Sequence, residues 1–245
     1  MEKVFYNMKR IDLSVIVPCY NEEKNIPLIV KRFNKVIKKN INAELILVNN
    51  GSNDESSEVI KKLSNKYIFL RSIKIKKNIG YGNGIFQGLK QAKGEFICWT
   101  HADMQTDLAD TIKALEIITK SNNPKKTYVK GKRYGRPITD SFFTFGMSTI
   151  ETVYLGKFLY DINAQPNLFH NSLLELMKNP PKDFSFDLYM YYLAKKKNYK
   201  IIKFPVLFGK RIYGKSAWND GIRARIKFIK RTILFSIKLK KTITK

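Results

Sequence analysis

What most restricts the fold of this chain is a unit that recurs through its first half: a short apolar run, a polar turn and a segment of helical period. Residues 13–17 are β-branched and apolar and end at Pro18, after which Ile26, Ile29, Val30, Phe33, Val36 and Ile37 recur at helical spacing. A second run, 44–48, is followed by a polar turn at 49–54 and by helix-spaced Val59, Ile60 and Leu63. A third lies within 70–75, ahead of a glycine-bearing turn at 78–84 and a helix through Phe86, Leu89 and Ala92 that stops at Gly94. The fourth, 96–100, breaks into His101, Asp103, Gln105 and Asp107. Alternation of this kind with short connections predicts an α/β fold, with a mostly parallel sheet covered by helices on both faces.

A parallel sheet gathers ligands at the carboxyl ends of its strands, so the turns 18–22, 49–54, 78–84 and 101–107 are expected to border one crevice. Asp103, flanked at two-residue spacing by His101 and Gln105, has the donor types to hold a divalent cation, although Asp103 and Asp107 also suit the start of the helix that follows. Gly80, Gly82 and Gly84 have some likeness to a dinucleotide-binding glycine loop. That fingerprint belongs to the first strand-to-helix turn, however, whereas these glycines follow the third strand, and a plain glycine-rich turn is the better account of them.

The second half reads less regularly. It offers a turn at 121–124, a strand at 127–130, a basic glycine-containing loop at 131–137 and a long helical region at 141–160. A strand before Phe169, a helix near 173–177, a helix at 186–194, a strand at 200–208 and a polar loop at 211–216 follow. From Ile222 the residues Ile226, Ile229, Ile233 and Ile237 recur among Arg223, Arg225, Lys227, Lys230, Arg231, Lys238, Lys240 and Lys241, which describes a basic amphipathic helix. Such a stripe fits the core and an anionic membrane surface alike, and the absence of acidic residues after Asp220 favours the membrane.

Composition bounds the function. With 46 Lys and Arg against 20 Asp and Glu, the net charge of +26 calls for anionic partners: nucleic acid, a membrane surface or phosphorylated substrates. Cys19 and Cys98 both fall in strand-like runs and read as buried thiols of a reducing compartment. Neither a signal pattern nor an uncharged apolar stretch of about 18 residues is visible, so the chain is expected to be soluble or peripheral.

Four blocks carry a family resemblance. They are residues 15–23 (Val-Ile-Val-Pro-Cys-Tyr-Asn-Glu-Glu), 48–54 (Val-Asn-Asn-Gly-Ser-Asn-Asp), 78–82 (Asn-Ile-Gly-Tyr-Gly) with Gly88 and Ala92, and 101–105 (His-Ala-Asp-Met-Gln). In order and spacing they resemble the signature blocks of family 2 glycosyltransferases, and most closely those of the dolichyl- and polyprenyl-phosphate sugar transferases, over residues 11–216. The resemblance implies a GT-A (Rossmann-like) fold, a nucleotide-diphosphate sugar donor, and Mg²⁺ or Mn²⁺ held by a DXD-like motif. Asp103 would bind the metal, with His101 and Gln105 as further ligands. Pro18, Tyr20, Glu22, Asn50, Ser52, Gly80, Gly82, Ala102, Lys132, Arg133 and Ser216 would bind the donor, while Asp187 and Arg211 would serve catalysis, Asp187 as the base with Asp183 as its rival. Two positions depart from the family pattern: Asn50 stands where an acid usually reads the base, and His101 replaces the first Asp of the metal motif.

The resemblance further implies a glycan or lipid-linked phosphate acceptor in cell-envelope polysaccharide synthesis and no nucleic-acid partner. It also implies a cytoplasmic location with peripheral attachment at the inner face of the membrane. On this reading residues 1–218 form the catalytic domain, with a donor half at about 11–120 and an acceptor half at about 121–218, and 219–245 form the basic helix. The competing functions are a basic binding protein of the same fold that has lost catalysis, and an NAD-dependent oxidoreductase.

Overall fold

The computed structural model of the chain describes residues 10–214 and 222–243, with only the backbone described at 138–143, 222–228 and 241–243. The first half follows the repeating unit: β1 (Leu13–Cys19), α1 (Ile26–Val36), β2 (Ala43–Asn50), α2 (Ser56–Ser64), β3 (Leu70–Ile75), α3 (Tyr81–Gln91), β4 (Phe96–Trp99) and α4 (Ala109–Thr119). Then come β5 (Thr127–Tyr134), α5 (Ile138–Leu155), β6 (Asn167–His170), α6 (Phe186–Lys196), β7 (Lys200–Leu207) and α7 (Ile222–Ile243). All seven strands form one sheet in the order β3-β2-β1-β4-β6-β5-β7. Strands β1 to β4 pair in parallel, β7 pairs in parallel with β5, and β6 runs antiparallel to both of its neighbours.

Strands β2 and β4 are buried along their whole length, as parallel strands sandwiched between helices must be. Alternate side chains feed two cores. Leu13, Val15, Val17, Leu45 and Leu47 meet α1 and α4 on one face, through Ile29, Phe33, Ile112 and Leu115. On the other, Ile16, Ile46, Val48, Ile97 and Trp99 meet Ile85 and Leu89 of α3, Phe186 and Met190 of α6, and Leu239 of α7. Each fully buried aliphatic or aromatic side chain contributes about 1.5–3 kcal/mol, so these layers hold the sheet rigid beneath its loops.

The second half corrects several expectations. Residues 131–133 are not a loop: they continue β5 in register with β7, where Gly131 faces Phe204 and Arg133 faces Val206. The helix expected over 141–160 begins at Ile138 and ends at Leu155, because Gly156 takes the left-handed conformation (φ 64°) that terminates a helix cheaply. The segment near 173–177 is a 3₁₀ helix, Asn171–Leu176.

Helix α7 lies where the sequence puts it, but the isoleucines whose side chains are described are not its innermost face. Thr232, Ser236 and Leu239 are buried, Ser236 donates a hydrogen bond to the Glu151 carboxylate of α5, and Ile229, Ile233 and Ile237 are half-buried.

Helical glycines test this packing. A Cβ on Gly88 of α3 would lie 2.4 Å from Ile16 Cγ2 and 3.1 Å from Val48 Cγ2, whereas one on Gly146 of α5 meets nothing within 4 Å among the described residues. Replacing Gly by Ala gains about 1 kcal/mol of helix propensity, and overpacking a core costs about 1–3 kcal/mol. Gly88→Ala is therefore expected to lower, and Gly146→Ala to raise, the urea midpoint of unfolding.

Candidate active site

A cavity of about 420 Å³ opens at the carboxyl edge of the sheet. Pro18 near the end of β1 borders it, Tyr20 and Glu22 follow β1 into it, Asn50 ends β2, Gly80 opens α3, and His101, Ala102, Asp103 and Gln105 follow β4. Arg133, Asp187 and Arg211 border the same space. Residues from a span of nearly 200 positions thus meet because six parallel strands end on one side.

The turn after β4 separates the two readings of its acids. Asp107 is the helix-start residue: its Oδ1 accepts the Ala109 N–H at 2.8 Å, and Arg32 grips both of its oxygens at 2.7 Å. Asp103 is buried and turned to the cavity, with Oδ2 2.8 Å from Arg211 and Oδ1 accepting the Gln105 N–H at 3.2 Å. Gln105 secures the loop that carries Arg211, donating Nε2–H to the Gly209 carbonyl at 3.0 Å and accepting the Gly209 N–H at 2.7 Å.

Among the described residues no group of three His, Cys, Asp or Glu converges on one point. A carboxylate has about four lone-pair sites, so Asp103 keeps capacity for a cation beside its two present contacts, and the His101 ring and the Gln105 amide add nitrogen and oxygen donors. This partial donor set fits a hard divalent ion whose remaining ligands come from a diphosphate.

Around the donor side, Asn50 donates Nδ2–H to the Gly80 carbonyl at 3.0 Å and to Asn78 Oδ1 at 3.3 Å, and its own Oδ1 is buried without a partner among the described residues. Glu22 accepts from Asn25 Nδ2 at 2.6 Å, and burial, joined by the nearby Asp103 and Asp54, pushes its carboxyl above the usual range. Ser52 does not border the cavity; its hydroxyl accepts the Asn21 N–H at 3.0 Å and braces the first turn. Gly82 does not border it either. A Cβ there would come within 2.6 Å of the Pro181 and Asp183 carbonyls, and Lys182 O accepts the Asn83 N–H at 2.9 Å. The glycines therefore admit the 181–183 segment against α3, which uses an N–H that a pyrophosphate cradle would need.

Lys132 is exposed and outside the cavity, because the pleat of β5 turns it away from Arg133. Arg133 is engaged by Asp161, with Nε 2.8 Å from Oδ1 and the backbone N–H 2.8 Å from Oδ2. Ser216 lies outside the described residues.

The two candidate bases part in the same way. Asp183 lies in the turn before α6, accepting the Ser185 N–H at 2.9 Å, and faces Arg231 of α7 at 3.4 Å, outside the cavity lining. Asp187 is 1% exposed and borders the cavity. Burial raises its pKa, opposed by Lys130, His101 and the Trp99 hydrogen bond. Sequence reasoning passed over the wall around it: Phe184 stacks on Tyr81 at 4.8 Å, and Tyr81 lies 5.7 Å from the His101 ring. Trp99, Gln165 and Asn167 also contact Asp187. Their strand-like surroundings gave no signal beyond ordinary core. Both cysteines are buried with raised pKa, as inert thiols are.

Solved structures share this architecture. A glucosyl-3-phosphoglycerate synthase from Mycobacterium tuberculosis, in complex with Mn²⁺, UDP-glucose and phosphoglyceric acid, superposes with a TM-score of 0.72 at 13% identity, covering 94% of this chain and 80% of that one. A mannosyltransferase from Pyrobaculum calidifontis, in complex with GDP-mannose and Mn²⁺, gives 0.68 at 17% identity, covering 94% and 65%. The fold is that of the GT-A glycosyltransferases. The sequence profile described as glycosyl transferase family 2 matches residues 14–172, and the chain belongs to that family.

Among characterised relatives, the chain is 28% identical over 211 residues to the dolichol-phosphate mannosyltransferase of Pyrococcus furiosus, covering 83% of this chain and 58% of that protein. It is 26% identical over 216 residues to the undecaprenyl-phosphate 4-deoxy-4-formamido-L-arabinose transferase of Pectobacterium atrosepticum, covering 85% and 63%. The matches thus span 58% and 63% of the lengths of these relatives.

Because burial raises the Asp187 pKa, a step that needs its carboxylate is lost as pH falls, with a midpoint above that of an ordinary aspartate. A kcat–pH profile is expected to show that acid limb, and Asp187→Asn to remove it along with most of the turnover.

Proposed function

We propose that this chain is an inverting glycosyltransferase that moves a sugar from a nucleotide-diphosphate donor to a polyprenyl-phosphate or glycan acceptor in cell-envelope glycan synthesis. The observation that carries the reading is that Asp103, paired with Arg211, and the buried Asp187 border one cavity at the carboxyl edge of the sheet. The donor half of the site is the group of turns after β1 to β4, with Pro18, Tyr20, Glu22 and Asn50 around the base and ribose. The acceptor half comes from β5, α6 and the segment after β7.

Asp103, with His101 and Gln105, would hold Mg²⁺ or Mn²⁺. Such an ion, when bound, neutralises the diphosphate and makes it a better leaving group. Arg211 places a guanidinium beside Asp103, where its planar fork can bind phosphate oxygens in pairs. The sugar C1–O bond to the diphosphate breaks as the acceptor oxygen bonds C1 from the opposite face. For a hydroxyl acceptor, the proton passes to Asp187. A phosphate acceptor arrives already ionised, and Asp187 then orients it.

Asp103→Ala is expected to abolish transfer and weaken GDP-mannose or UDP-glucose binding in Mn²⁺, read by calorimetry, with the melting temperature nearly unchanged. Retained activity, or an unfolded variant, would remove Asp103 from this role.

A lipid-linked acceptor requires approach to a membrane. No described helix is long and apolar enough to cross one. Instead Val153 of α5 is 78% exposed, Phe158 just after it 68% and Leu234 of α7 57%, and Lys157 beside Phe158 and Lys230 and Lys238 of α7 are exposed too. Each cation near an anionic leaflet contributes about 1 kcal/mol, and these surfaces support peripheral attachment at the inner face of the membrane. The double variant Val153→Asp/Leu234→Asp is expected to lose co-sedimentation with phosphatidylglycerol vesicles at low salt while remaining folded. Equal sedimentation of variant and wild type would exclude these helices as the attachment surface.

A further inference from the structure

One row of polar side chains crosses the sheet beneath α6. Because β6 is inserted antiparallel between β4 and β5, Asn167 is in register with Trp99 on one side and with Lys130 on the other. Residues in register project to the same face of a sheet, so all three face α6, where Asp187 sits. All three are fully buried.

The hydrogen bonds along this row converge on one atom. Asp187 Oδ1 accepts from Trp99 Nε1 at 3.0 Å, from Gln165 Nε2 at 3.3 Å and from Asn167 Nδ2 at 3.5 Å. No bond among the described residues reaches Oδ2, and it is not among the buried side-chain atoms without a partner. Oδ2 is therefore the oxygen left without a hydrogen bond among the described residues, in a residue that borders the cavity.

The orientation of the Asn167 amide follows from what lies behind it. Its Oδ1 accepts from Lys130 Nζ at 3.0 Å and from the Tyr128 hydroxyl at 3.1 Å; a reversed amide would set an N–H group against the Lys130 ammonium, which has no lone pair to accept it. Lys130 is itself fixed, donating also to the Ile162 and Ala164 carbonyls, each at 2.6 Å. Three acceptors around Nζ require three N–H bonds, which only the ammonium form has. Burial nevertheless draws its pKa down to about 7, with Asp187 and Asp161 opposing that fall.

We propose that Lys130, acting through Asn167, is a positioning residue for Asp187: the row saturates Oδ1 and leaves Oδ2 as the single oxygen offered to the acceptor. The idea rests on Asp187 meeting the acceptor, as proposed above, and assigns Lys130 no contact with substrate. A buried lysine in a strand otherwise has little reason to exist, because methionine would fill the volume without the desolvation cost.

The Trp99 indole proton reports the state of Oδ1 directly, and with two tryptophans in the chain its ¹⁵N–¹H resonance is assigned by Trp99→Phe. Asp187→Asn, which weakens the acceptor, is expected to move that resonance upfield. Lys130→Met, which leaves Trp99 and Asp187 chemically intact, is expected to move it as well. The same variant should lower kcat roughly tenfold or more while the KM for GDP-mannose or UDP-glucose, whichever the calorimetry selects, changes less than about twofold. If Lys130→Met does not fold, Asn167→Leu carries the test with the same expected outcome.

An unmoved Trp99 resonance with wild-type kcat in a folded Lys130→Met or Asn167→Leu variant would overturn the proposal. The two readings fail differently. Full turnover in Asp187→Asn would remove Asp187 from the chemistry even if the indole resonance still followed Lys130, and would take the functional part of this proposal with it.

Discussion

A parallel sheet buried on both faces has one place for polar chemistry, the edge where its strands end, and this constraint arranges the rest of the molecule. Strands β2 and β4 expose none of their residues. Side chains that must meet solvent or ligand are therefore pushed to the last residue of a strand or beyond it, to Asn50 at the end of β2 and to Asp103 four positions beyond Trp99. The helices that seal the sheet fix the strand ends, so that loops of little intrinsic stability are held from below.

The antiparallel strand of this sheet is the exception that brings polar side chains to Asp187. Because β6 runs against its neighbours, its first residues, not its last, lie at the edge that borders the cavity, and Asn167 reaches Asp187 from within the sheet. A polar row in a buried layer is tolerated only when every donor finds an acceptor, and here the Ile162 and Ala164 carbonyls, Asn167 and Asp187 provide them. The cost of desolvating Asp187 appears as its raised pKa.

Electrostatically, the strong positive charge of the chain is not simply concentrated in the cavity. Arg133 is engaged by Asp161, Arg211 by Asp103 and Arg231 by Asp183. These pairs fix guanidinium groups in the wall and beside it, and they limit the mutual repulsion of so many cations. If Asp103 holds a cation as proposed, an anionic ligand can engage that cation and Arg211 together, because the cation offsets the charge of the carboxylate.

The sequence alone determined the first half of the fold, because strands 4 to 8 residues long alternated with amphipathic helices and each signal was local. It also located the edge of the crevice and Asp103 within it, since turn chemistry and strand ends are local too. It did not determine which acid did what. Asp103 and Asp107 are both acids at a helix start, as are Asp183 and Asp187, and only the packed structure ties Asp107 and Asp183 to the backbone where α4 and α6 begin and turns Asp103 and Asp187 to the cavity. Gly82, Ser52 and Lys132 matched a pattern yet were placed elsewhere, because close approach of the 181–183 segment, bracing of a turn and the pleat of β5 are long-range matters. Lys130 and Asn167 gave no signal at all: their roles depend on a strand register between segments far apart in the chain, and register is set by tertiary packing and not by any window of sequence.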